Sequence, residues 1–154
     1  MMARKILWAG WGAVALLLAG MVVHSVNTSN DDPSLAWEPT LKRALSIAKR
    51  EHRPVMIDVW ADWCTWCREL DRKTYHDHAV QQLAKSFVCV KVDADHAPVF
   101  LRQYAVSSLP TVLFLYSDGR PMEKIIQYTE PERFAEILTG VLEKSRNQDR
   151  ISRH

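Results

Sequence analysis

A chain of 154 residues has room for one domain of ordinary size and an appendage. Its 47% hydrophobic and 25% charged residues are those of a globular protein, and a formal net charge of +2 without any lysine- or arginine-rich run argues against nucleic acid as a partner. Five glycines and seven prolines exclude a collagen-like or linker-dominated chain, and three cysteines are too few for a disulfide scaffold, so the cysteines are judged by position.

Arg4 and Lys5 precede an uncharged apolar stretch, residues 6–23. At 1.5 Å per residue, roughly eighteen helical residues reach about 27 Å, close to a hydrocarbon core of about 30 Å. The stretch has no polar face, which argues against an ordinary buried core helix of the domain. It exceeds the usual apolar region of a cleaved signal, about 7–15 residues, so residues 1–24 are expected to be a retained transmembrane anchor, with a signal sequence as the alternative. Basic residues before the span and Asp31 and Asp32 after it put the rest of the chain outside the cytoplasm. The expected location is therefore the inner (cytoplasmic) membrane, single-pass, with the domain facing the periplasm or cell exterior. Cleavage would leave it secreted or periplasmic.

Residues 25–36 are polar and read as a linker. The domain is expected over 37–146, followed by a polar tail, 147–154. Leu41, Leu45 and Ala48, flanked by Ala44 and Ile47, give the apolar face of a first helix. Residues 55–60 are a short apolar run suited to a buried strand, and the stretch through about Tyr75 is helical. Asp77 can cap a short helix through Lys85. A second strand is expected over 87–92 and a short helix over 98–104. Residues 111–116 and 122–128 form a hairpin about Ser117-Asp118-Gly119-Arg120, and Glu130-Pro131 opens the last helix. Strands joined by helical crossovers and then a hairpin imply an α/β sandwich with a mixed sheet.

Cys64 and Cys67 stand where the first strand gives way to a helix. A helix start offers unpaired N–H groups and the positive end of the dipole, which stabilise a thiolate, and the thiolate is the reactive form of cysteine. Cys67, three residues on, can attack a mixed disulfide formed on Cys64, so two exchanges move two electrons without a further cofactor. A closed zinc site needs four ligands and there is no second C-x-x-C; His76 and His78, the nearest spare ligands, alternate around Asp77 as in a solvated turn. Covalent haem needs histidine after the second cysteine, where Arg68 stands. Cys89, among apolar strand residues, reads as a buried inert thiol.

The segment Asp58-Val59-Trp60-Ala61-Asp62-Trp63-Cys64-Thr65-Trp66-Cys67, with Arg68-Glu69-Leu70 after it, resembles the active-site segment of the thioredoxin superfamily. The nearest likeness is to the C-terminal thioredoxin-like domain of bacterial transmembrane thiol:disulfide interchange proteins. That resemblance implies a thioredoxin-like three-layer sandwich, a central mixed sheet flanked by helices. It implies that Asp58 is the family's buried aspartate, able to exchange a proton with Cys67, and that Lys91 is the lysine accompanying it. It implies that Leu109-Pro110 is the cis-proline segment against which a substrate strand lies. A buried Asp58 is taken to lie at a sheet edge or end. Trp63 and Trp66 are expected at the substrate surface, and Trp60 in the core. Two positions depart from the family: Thr65-Trp66 replaces the glycine-proline common in cytosolic thioredoxins, and a glycine frequent near Gln127 is absent.

The expected function is a protein-disulfide reductase or electron relay, taking electrons from a membrane donor to oxidised extracytoplasmic proteins. A disulfide oxidase or isomerase, and a thioredoxin-fold binding module, are the alternatives.

Overall fold

The computed structural model describes residues 35–151. The anchor or signal expected over 1–24 and the linker up to residue 34 lie outside the described residues. Among the described residues no helix is long and apolar enough to cross a membrane.

The order of elements is β1 (Trp37–Glu38), α1 (Leu41–Glu51), β2 (Val55–Trp60), α2 (Thr65–Glu69) continuing into a π-helical turn (Leu70–Thr74), α3 (His78–Ala84), β3 (Val88–Asp93), a 3-10 turn (Ala94–His96), α4 (Pro98–Gln103), β4 (Thr111–Leu115), β5 (Pro121–Ile126) and α5 (Pro131–Ile151). The five strands form one mixed sheet ordered β1-β3-β2-β4-β5. β3 runs parallel to both β1 and β2; β4 is antiparallel to β2 and β5. This is the thioredoxin-like α/β fold. β1 is absent from the sequence reading, and α5 runs on into the stretch read as a polar tail.

β2 occupies the middle of the sheet, which is why its first five residues are all buried. Its alternation splits the core in two. Val55, Ile57 and Val59 pack with Ala44 and Ala48 of α1 and with Val88, Val90, Leu113 and Leu115. On the other face Met56 packs with Leu70, Tyr75, Phe87, Phe114, Phe134 and Leu138. Each fully buried aliphatic or aromatic side chain here contributes about 1.5–3 kcal/mol relative to exposure. The two clusters are the two interfaces of a three-layer sandwich.

Local chemistry sets the element ends. The Thr40 hydroxyl accepts from Arg43 N at 3.2 Å, and Asp77 Oδ1 accepts from Val80 N at 3.0 Å, each satisfying a free donor of a first helical turn. In the β4–β5 turn Gly119 takes φ 87°, which glycine adopts without steric conflict. Across α2 and the π-turn the backbone widens by one residue, so that Tyr75 N donates to Leu70 O five positions back, at 3.0 Å.

α1 ends on His52, whose φ of 53° is left-handed, a position where glycine carries no Cβ conflict. His52→Gly is therefore expected to stabilise the domain by about 0.5–1 kcal/mol. His52→Val is expected to destabilise it. The urea midpoint of each variant against the unsubstituted chain checks both signs.

Candidate active site

β2 delivers the chain to the site and a tight turn redirects it: Cys64 N donates to Ala61 O at 3.0 Å, and Ala61 is fully buried. Cys64 then caps α2. Its Sγ accepts from Cys67 N at 3.1 Å, and it is bonded to Cys67 Sγ in a disulfide. The N–H that meets the disulfide sulfur is the one that would meet a thiolate after reduction. Both cysteines are about equally buried, at 5% and 6% exposure, so exposure does not rank them. The cap position does, and it favours Cys64 as the stabilised thiolate. Arg68 fixes the turn from outside, donating to Asp62 O at 2.6 Å and to Thr65 Oγ1 at 3.2 Å.

Asp58 sits on the central strand, not at a sheet edge or end as the sequence reading took it. It belongs there because the register sets it opposite Lys91 on β3. Lys91 Nζ is 3.4 Å from Asp58 Oδ2 and 2.6 Å from Asp71 Oδ1, so one ammonium serves two carboxylates and stands nearer the outer one. Three rings surround that ammonium: Trp37, Tyr75 and Trp60, with centroids 4.9, 5.6 and 5.8 Å away. Burial raises the Asp58 carboxyl to about 6, and the attraction of Lys91 only partly opposes this. A cleft of about 220 Å³ joins the two halves of the site, lined by Cys67, Trp60, Ala61, Asp62, Arg68, Asp71 and Lys91. Thus the lysine paired with Asp58 and the second cysteine open onto the same space.

The rim is aromatic. Trp63 and Trp66 are 66% and 60% exposed. Trp63 Nε1 donates to both carboxylate oxygens of Asp95, at 3.1 and 3.0 Å, and the Trp66 ring lies 5.5 Å from that of Tyr128. Leu109 and Trp60, each partly buried, pack against Ala61, Cys64 and Cys67; Trp60 is thus a wall of the site more than core. The Leu109–Pro110 peptide is cis, and Pro110 O accepts from Gln127 N at 2.9 Å. Gln127, where the family's glycine is missing, takes the left-handed φ of 76°.

Lys91 and Cys67 therefore line one cleft, with Asp58 paired to Lys91, while Cys64, Leu109 and Trp60 pack together around the disulfide. Sequence reasoning missed Asp71, Trp37, Tyr75 and Arg68. The one available signal was the spacing of Asp71, four residues after Cys67 and so one turn along the same face. Cys89 stands apart. It is buried, its Sγ lies 3.8 Å from Ala84 O, and burial pushes its thiol up to about 12, beyond thiolate chemistry at neutral pH. Among the described residues there is no cluster of three or more histidine, cysteine or acidic side chains placed to hold a metal ion.

Residues 24–149 match the family described as Thioredox_DsbH, protein of unknown function, DUF255. The chain is 32% identical over 134 residues to the thiol:disulfide interchange protein DsbD of Yersinia pestis (strain Pestoides F), covering 72% of this chain and 22% of that one. It is 36% identical over 86 residues to DsbD of Vibrio vulnificus (strain CMCP6), covering 53% of this chain and 14% of that one. The chain thus spans a small part of the length of these relatives. Among solved structures, the DsbD C-terminal domain of Neisseria meningitidis in the reduced form is similar at 29% identity and TM-score 0.56, covering 65% of this chain and 92% of that one. A DsbH oxidoreductase superposes with TM-score 0.63 at 19% identity, covering 71% of this chain and 85% of that one, which speaks to the fold alone.

The raised carboxyl of Asp58 fixes a direction for stability. Its value of about 6 in the folded state exceeds the ordinary 3.8, so the folded state binds the proton more tightly than the unfolded chain does. The carboxyl is no burden below about pH 4; its cost grows as pH rises through about 6 and is complete above that. Asp58→Asn, of similar shape and uncharged, is expected to be more stable than the unsubstituted protein at pH 8 by on the order of 1–3 kcal/mol, with the difference vanishing near pH 4. Urea titrations at the two pH values decide it, and a gain of equal size at both would refute the linkage.

Proposed function

As a member of the thioredoxin-like DsbH (DUF255) family, carrying the C-x-x-C pair of a thiol-disulfide oxidoreductase, this chain is, we propose, a membrane-tethered extracytoplasmic protein-disulfide reductase or electron relay. The observation that carries the reading is the Cys64–Cys67 disulfide, with Cys64 at the cap of α2 and the Cys67 N–H on its sulfur. In the reduced protein the Cys64 thiolate attacks one sulfur of a substrate disulfide. That bond breaks, the other substrate sulfur leaves as a thiolate, and a mixed disulfide joins Cys64 to the substrate. Asp58 takes the Cys67 proton by way of the cleft that Lys91 lines. The Cys67 thiolate then attacks Cys64 Sγ and expels the second substrate thiolate. Two electrons have passed to the substrate, and the Cys64–Cys67 disulfide is restored.

The substrate in this reading is an extended, disulfide-bearing segment of an oxidised extracytoplasmic protein. It lies along Leu109-Pro110 and against the exposed rings of Trp63 and Trp66, which supply apolar contact around the sulfur. A dithiol partner in the membrane returns the two electrons. The membrane reading is supported by Arg4 and Lys5 ahead of the apolar stretch 6–23. The names of the interchange proteins that the chain is similar to agree with exchange between thiols and disulfides, in either direction. The potential of the Cys64–Cys67 pair against glutathione separates this direction from oxidation or isomerisation.

Cys67→Ser is expected to accumulate substrate linked through Cys64, because the resolving thiol is gone. Cys64→Ser is expected to trap almost none, and Cys89→Ser to behave as the unsubstituted protein. Acid quenching after mixing with an oxidised substrate, followed by mass-spectrometric mapping, reads all three; adducts mainly on Cys67 or Cys89 overturn the assignment. The chain is also expected to resist carbonate extraction and to be cleaved by protease added to spheroplasts. A carbonate-soluble product beginning near Val26 would remove the anchor and leave export standing.

A further inference from the structure

Two buried polar atoms in the described domain lack a hydrogen-bond partner, Asp58 Oδ1 and the Tyr75 hydroxyl, and both residues are only 2% exposed. They belong to one neighbourhood: the Tyr75 hydroxyl is among the groups acting on the Asp58 carboxyl, and the Asp58 charge acts on Tyr75 in turn. Buried polar groups in folded proteins are nearly always paired, and these two, both beside the Lys91 ammonium, are natural partners for each other.

The surroundings leave little choice of partner. The Tyr75 ring is held edge-on against Trp37 at 5.3 Å and against Phe134 at 5.7 Å, and its centroid is 5.6 Å from Lys91 Nζ. Its backbone is tied to Leu70 at the end of the π-turn. The charged and titratable groups facing Tyr75 are Asp58 on β2, Cys89 and Lys91 on β3, and Asp71 on the π-turn. Cys89 directs its sulfur to Ala84 O. Lys91 has only donors to offer and is engaged by Asp58 and Asp71. The Asp71 side chain is half exposed and already paired with Lys91. Of these groups, Asp58 Oδ1 is the buried acceptor with nothing bound to it. Tyr75 itself stays neutral, because burial, reinforced by the Asp58 charge, lifts its phenol well above the ordinary value of 10.

We propose that the Tyr75 hydroxyl donates directly to Asp58 Oδ1 when that carboxylate is ionised, making Tyr75 a positioning residue for the proton carrier of the thiol exchange. Lys91 holds one oxygen and Tyr75 the other, so the carboxylate is fixed in orientation as well as in charge. A hydroxyl on a carboxylate favours the ionised form. Tyr75 thereby opposes the burial that raises Asp58 and sets the pH above which Asp58 is free to accept the Cys67 proton. This rests on the functional reading given above for its purpose, though not for its physical content.

Tyr75→Phe keeps the ring and its packing on Trp37 and Phe134 and removes the hydroxyl alone. In the full chain in detergent micelles, the Asp58 side-chain carboxyl carbon, followed by NMR through a pH titration, is expected to show its midpoint raised by about one pH unit, a tenfold weaker acid. The pH profile for reduction of insulin is expected to move the same way. In an Asp58→Asn background, Tyr75→Phe is expected to leave that profile where it is. A midpoint that does not move, or moves down, overturns the proposal. So does a shift of the insulin profile that persists in the Asp58→Asn background. Should Tyr75→Phe fail to fold, 3-fluorotyrosine placed at position 75, a stronger donor, is expected to lower the midpoint, and an unmoved midpoint overturns the proposal equally. The carboxyl titration is read without turnover. A chain that reduces no disulfide therefore refutes the functional reading and leaves the role of Tyr75 to be decided by the titration.

Discussion

A carboxylate buried in the central strand of the sheet is the constraint around which the site is organised. An ionised Asp58 among Met56, Val112 and Phe114 would be prohibitively unfavourable without a compensating charge, and the parallel register of β2 and β3 supplies it by setting Lys91 alongside. A lysine so placed must in turn be accommodated. Its stem lies in partly apolar surroundings while its ammonium stands over Trp37, Tyr75 and Trp60, contacts worth about 0.5–2 kcal/mol depending on how dry they are. Asp71 holds the same ammonium at the shorter distance, 2.6 against 3.4 Å, so Asp58 is compensated only in part. Burial, only partly opposed by Lys91, therefore holds the Asp58 carboxyl up at about 6, well above the ordinary carboxylate range.

The cysteines depend on the same strand. β2 ends at Trp60, and the tight turn through Ala61 places Cys64 at the start of α2. The two cysteines then differ in location along the helix. Cys64 has the cap position and its neighbouring N–H, whereas Cys67 opens on the cleft that leads to Lys91. The two residues are about equally buried, so position along the helix, and not exposure, is what distinguishes them.

Much of this was legible in the residues. The C-x-x-C pair at a strand-to-helix junction, the Asp77 cap, the Asp118-Gly119 turn and the apolar runs of β2, β3 and β4 each carry a local signal, and the structure has those elements within a residue or two of where the sequence put them. Family resemblance added Asp58, Lys91 and Pro110, which no local pattern singles out. What stayed hidden was of another kind. β1 has two residues, too few for any periodicity, and exists through its pairing with β3. Asp71 looks like any charge on a helix, and Tyr75 like any aromatic at a core position; their meaning comes from Lys91 and Asp58 across the sheet face. The conformation of Gln127 is set by its bond to Pro110 O, a tertiary contact acting against the residue's own preference.

The π-turn at Leu70–Thr74 decides how this region can change over evolutionary time. It contributes one residue more than an α-helical turn, between the cysteines on one side and Tyr75 on the other. Thr74 is pinned by its hydroxyl, which donates to Thr129 O at 2.7 Å, and the cysteine end is pinned to the close of β2. Losing one residue from within 70–74 would close the wide turn to an ordinary α-helical turn, so the change of length is absorbed locally and the two ends keep their facing. The segment is therefore constrained more in composition than in length: Leu70 and Thr74 are buried and Asp71 holds Lys91, whereas the wide turn is the one place between Cys67 and Tyr75 where a residue can be lost without turning the ends.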